Sequence, residues 1–63
     1  MQPITVAGVD ISNERYPNLY LIAKRDPEGL KTWLEDLKER TGSDSIEMTA
    51  TMLEMDLEHE RLS

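Results

Sequence analysis

The sequence predicts an α+β fold, with two N-terminal β-strands, a helix over 27–41 and a second helix over 45–61. Three observations carry this expectation. Residues 4–11 are rich in β-branched side chains, which suit a pleated, half-buried surface. Asp26-Pro27-Glu28 is a helix start, and the apolar residues after it recur at helical spacing. Gly42 then closes that segment and leaves room for one more element before the end of the chain.

The first strand is expected over Ile4–Ile11. Asn13, Pro17 and Asn18 interrupt it as turn and breaker residues. Leu19–Arg25 reads as a second strand, with Leu19, Leu21 and Ala23 on one side and Tyr20, Ile22 and Lys24 on the other. In the helix that follows, Asp26 caps, Pro27 takes the first position and Glu28 complements the dipole. Leu30, Trp33, Leu34 and Leu37 share one face at i, i+3, i+4 and i+7, which places Trp33 in the core. Lys31–Glu35 and Asp36–Arg40 are i,i+4 pairs on the outer side. Residues 45–61 admit two readings. As a helix capped by Ser43 or Asp44, they carry an Ile46, Ala50, Leu53 and Leu57 stripe and a second stripe of Met48, Met52 and Met55. As a strand, Ile46, Met48, Ala50 and Met52 alternate with polar residues, which gives a ββαβ alternative with a C-terminal strand. Composition favours the helix.

Sixty-three residues make a single small domain, 1–63. A chain of that size buries only about 60% of its unfolded surface. Without cysteine it has neither a disulfide nor a thiolate metal site, so tight packing or self-association as a homodimer must stabilise it. The longest apolar run, Leu19–Ala23, is too short for a membrane span or a signal-peptide core. A cytoplasmic setting is the default expectation.

The net charge of −6 is unevenly placed. Residues 1–43 hold seven acids and six bases; residues 44–63 hold six acids and one base, Arg61. That last third repels phosphate backbones and anionic lipid and attracts basic protein surfaces.

Catalytic chemistry finds little support. His59 lies between Glu58 and Glu60 and reads as a solvated histidine. The Glu54/Glu58 and Asp56/Glu60 pairs have helical spacing, but acid–base work needs a desolvated cleft that drives two pKa values apart. Ser12, Ser43, Ser45 and Ser63 lack a nearby base, and Gly8, Gly29 and Gly42 are too scattered to cradle phosphate. The expectation is therefore a protein that is not an enzyme, with no cofactor and no metal.

From Asp26 to Leu57 the chain resembles ribbon-helix-helix repressors and antitoxins. Pro27 and Gly42 have that family's spacing, Arg40-Thr41-Gly42 matches its turn, and Leu30, Leu34 and Leu37 fall on its core positions. Asp44 falls on its capping position, and Met48, Met52, Leu53 and Leu57 on the core of its second helix. The resemblance implies an intertwined dimer whose ribbon is Leu19–Arg25, with Lys24 and Arg25 as its DNA contacts. Thr49 and Asp56 depart from the family's apolar pattern, and residues 1–18 have no counterpart in its minimal domain.

The residues themselves lead elsewhere. They point to a small acidic interaction module, an inhibitor that occludes a basic surface on a partner protein. Its contacts are expected from Met48, Met52 and Met55 with Glu54, Asp56 and Glu58. The DNA-binding repressor or antitoxin is the alternative.

Overall fold

Residues 2–62 are described by the structure, a computed structural model. Ile4–Val6 (β1) and Val9–Ile11 (β2) form an antiparallel hairpin in which Val6 pairs with Val9 and Ile4 with Ile11. The single strand expected over 4–11 is thus folded back on itself. Its turn is Ala7-Gly8, with φ of 52° and 82°. Two consecutive positive φ values in a two-residue loop are the mark of a type I′ turn, whose twist matches the flanking strands. Val6, Val9 and Ile11 face inward. On the outer face the Thr5 hydroxyl donates to the Asp10 carboxylate at 3.0 Å.

Three helices follow: Pro17–Arg25 (α1), Pro27–Thr41 (α2) and Ile46–Leu62 (α3). The α+β class holds, but Leu19–Arg25 is helix and not the second strand. Its apolar residues read equally well at either period, and burial of Leu19, Tyr20 and Ala23 selects the helical one. Pro17 stands in its first turn, while Tyr16, the capping residue, makes no side-chain cap. The cap comes from α3 instead. Glu54 accepts from the Leu19 N–H at 3.0 Å through Oε1, and from the Asn18 N–H at 3.1 Å.

The helix expected over 27–41 is present with the expected ends. The Asp26 carboxylate accepts from the Gly29 N–H at 3.0 Å. Gly42, at φ 70°, is left-handed, and the Ser43 N–H reaches back to the Lys38 carbonyl. Asp36 and Arg40 close at 3.1 Å, whereas Lys31 and Glu35 do not form a pair. Residues 46–62 are helical, so the ββαβ alternative does not hold. Ser45 caps this helix, not Ser43 or Asp44, its hydroxyl accepting from the Met48 N–H at 3.1 Å.

The hairpin packs on α1 and α2, and α3 packs on the same two helices. The result is a flat body of 31 × 29 × 17 Å. One apolar cluster joins the layers: Val6, Val9 and Ile11 of the hairpin, Leu19, Tyr20 and Ala23 of α1, Leu30 and Leu34 of α2, and Ala50 and Leu53 of α3, with Tyr16. Among the described residues every buried polar side-chain atom has a hydrogen-bond partner.

Two expectations follow for stability. Asparagine tolerates positive φ better than alanine does, so Ala7→Asn raises the unfolding free energy by about 0.5–1 kcal/mol in urea melts. Glu54→Ala removes the acceptor from two helix-terminal N–H groups and lowers it by about 2–3 kcal/mol in the same assay.

Candidate functional site

The loop 42–45 folds α3 back against α2. Each helix brings an apolar edge to the seam, and a cleft of about 120 Å³ lies between them. Trp33, Leu37 and Thr41 line it from α2; Thr49, Met52, Leu53 and Asp56 line it from α3. Leu53 and Thr49 form its floor, being buried. Trp33 and Met52 are its walls, 39% and 43% exposed. The Ser43 hydroxyl in the loop approaches the Met52 sulfur at 3.8 Å.

Outward from the cleft, α3 continues the apolar surface. Met48 is 48% exposed and Met55 67%. The inner stripe is the expected one, with Ala50 and Leu53 buried and Ile46 and Leu57 half-buried. Met48, Met52 and Met55 are left on the open side of the helix. Unbranched thioether side chains fill irregular gaps with little strain, and a contiguous apolar patch is the usual mark of an interaction surface.

The six residues expected to form one contact surface are divided by the structure. Met48, Met52, Met55 and Asp56 are exposed, and Asp56 lines the cleft. Glu54 is turned inward and capped onto α1, only 8% exposed. Glu58 is half-buried beside it, accepting from Asn18 Nδ2 at 2.7 Å and lying 3.8 Å from Arg61. Both belong to the scaffold that holds α3. Trp33, expected in the core, is at the cleft instead. It sits on the edge of the α2 stripe, one residue before the fully buried Leu34. The α2 wall was the missed part of the surface, and the only signal for it was that edge position.

The basic pair proposed as DNA contacts is on the last turn of α1. Lys24 and Arg25 are exposed, and the Lys24 ammonium lies 5.7 Å from the Tyr20 ring centre. Lysine and arginine at a helix C-terminus complement its dipole. The segment is helical where a ribbon would need a strand. His59 is exposed, and among the described residues no cluster of three or more metal-ligating side chains exists. No helix of the described chain is long and apolar enough to cross a membrane. No protein-family model, curated protein or solved structure matches the chain.

The division between floor and wall is measurable. Leu53→Ala empties buried space and lowers the unfolding free energy by about 2–4 kcal/mol. Met55→Ser, on the open side, changes it by less than about 0.5 kcal/mol. Paired denaturant melts distinguish the two, and a large cost at Met55 would place that side chain in a covered interface.

Proposed function

We propose that the protein is a small, acidic, non-enzymatic interaction module that docks on a basic protein surface and acts by occluding it. The observation that carries this reading is the α2/α3 face. Trp33, Met48, Met52 and Met55 are exposed together there in a chain of net charge −6, with Asp56 among them. Aromatic and methionine side chains are the residue types that anchor protein interfaces. The surrounding acids supply long-range attraction, which raises the encounter rate more than the final affinity.

The charge is also distributed to favour such a partner. Asp36 pairs with Arg40, and Glu58 accepts a hydrogen bond from Asn18 and lies 3.8 Å from Arg61. Asp44, Glu47 and Asp56 have no basic partner among the described residues. An uncompensated acid is desolvated at low cost only where the partner brings a base to it.

Affinity capture with the wild-type chain and with a Met48→Ser/Met52→Ser/Met55→Ser variant tests the proposal. The captured protein is then purified and titrated directly. A basic partner is expected, bound by the wild type and weakened at least tenfold by the triple variant, with affinity falling as salt rises. A low-salt titration with duplex DNA completes the experiment. Tight, strongly salt-dependent duplex binding would overturn this proposal in favour of the repressor or antitoxin reading.

A further inference from the structure

The form of the occupant follows from the shape of the cleft. Resting on the reading of α2/α3 as a docking face for a basic partner, we infer that the occupant is a single amphipathic basic helix of that partner. It lies along the groove between α2 and α3, with its apolar side between Trp33 and Met52 and its lysines or arginines toward Asp56.

Three features support a helix. The cleft is bounded by two helices joined by a short loop, and its volume of about 120 Å³ takes an anchor side chain of a helix lying over it. Ridges on one helix pair seat a third helix at an interaxial distance of about 8–10 Å, and apolar anchors at i, i+3 and i+4 fill such a groove. An extended strand has no counterpart here, because the only sheet among the described residues is the hairpin, which contributes nothing to the groove. The walls are also adaptable: Met52 is a flexible thioether and Trp33 a flat ring at the rim.

Charge selects the sign of that helix and favours a basic occupant over a second copy of this chain. Two copies meeting through this face would bring together two bodies of net charge −6, with Asp56 of each in the seam. Like charges placed opposite one another oppose docking, whereas a lysine or arginine there relieves the unpaired Asp56.

Trp33 is the only tryptophan in the chain, so the groove carries its own fluorophore. The probes are three synthetic peptides of about 15 residues, a length at which amphipathic helices become stable once docked. One is a Leu/Lys peptide with helical amphipathic spacing, the second has the same composition shuffled, and the third is an amphipathic Leu/Glu peptide. The amphipathic Leu/Lys peptide is expected to bind and shift Trp33 emission to the blue. Met52→Ser should weaken it about tenfold, and Asp56→Asn should flatten the salt dependence while circular dichroism stays unchanged.

Equal binding of the shuffled peptide without a Trp33 shift would overturn the helix-in-groove inference and leave the acidic interaction module standing. No binding of any peptide would also overturn it, and captured basic protein would then decide the broader reading on its own. A dimer in sedimentation equilibrium, with Trp33 already blue-shifted and dispersed by Met52→Ser, would overturn it by assigning the groove to a second copy.

Discussion

The Glu54 carboxylate is where the helical part of the molecule is tied together. It accepts from the backbone N–H groups of Asn18 and Leu19 and from Asn18 Nδ2 at 2.6 Å. The first turn of any α-helix leaves its N–H groups without intrahelical partners, and a serine, threonine or aspartate just before the helix normally supplies one acceptor. Tyr16 occupies that position here and cannot do so. Glu54, 36 positions after Asn18, accepts instead, so α1 is completed only when α3 is in place. Burying a carboxylate is unfavourable unless its lone pairs are filled; the short bonds from Asn18 and Leu19 fill them, and the positive end of the α1 dipole faces them. Glu58, one turn further along, takes the second Asn18 side-chain proton. Asn18 therefore serves as a bracket between two turns of α3.

The same bond fixes how α3 is rotated, and through that what it exposes. Successive residues on a helix are separated by about 100°. With Glu54 turned to α1 and Leu53 to the core, Met52 is brought to the α2 side, roughly 200° round from Glu54. Met48 and Met55 then fall further round, toward solvent. Rotating α3 to bury the methionines would withdraw Glu54 from the α1 terminus and expose Leu53. The apolar outer face is thus a consequence of satisfying a helix end elsewhere.

How much of this could be read from the residues depends on the range of each interaction. The α2 helix was legible to within a residue because all of its signals are local: Asp26 and Pro27 at the start, Gly42 at the end and a clean apolar period between. The α3 helix was legible in its period and its two stripes, though its cap is Ser45, whose hydroxyl accepts from the Met48 N–H. The hairpin turn was hidden because Ala7 contributes no turn signal and Gly8 alone resembles a strand interruption. The α1 segment was misread as a strand for a deeper reason. Its cap is not in its own sequence neighbourhood, and an apolar run with both faces partly buried fits either period. On the candidate surface, the methionines were visible as a stripe, while the α2 wall and the inward turn of Glu54 are tertiary facts.

Net charge alone is a poor guide to which acids face a partner. Asp26 caps α2, Asp10 binds Thr5, Asp36 pairs with Arg40, and Glu54 and Glu58 hold Asn18. Glu54 and Glu58, which helical position alone places on the binding surface, hold α1 to α3, and the other three close local contacts. Those left without a partner include Asp56, and it is the one that lines the apolar cleft. A carboxylate beside Trp33 and Met52 gains nothing for stability from that position, since it is unpaired and borders apolar surface. It does set the sign of what can approach: a purely apolar occupant would desolvate Asp56 without compensation, and an acidic one would be repelled. For the proposed docking role, the electrostatic selectivity of this face rests on one side chain in the right place more than on the total of −6.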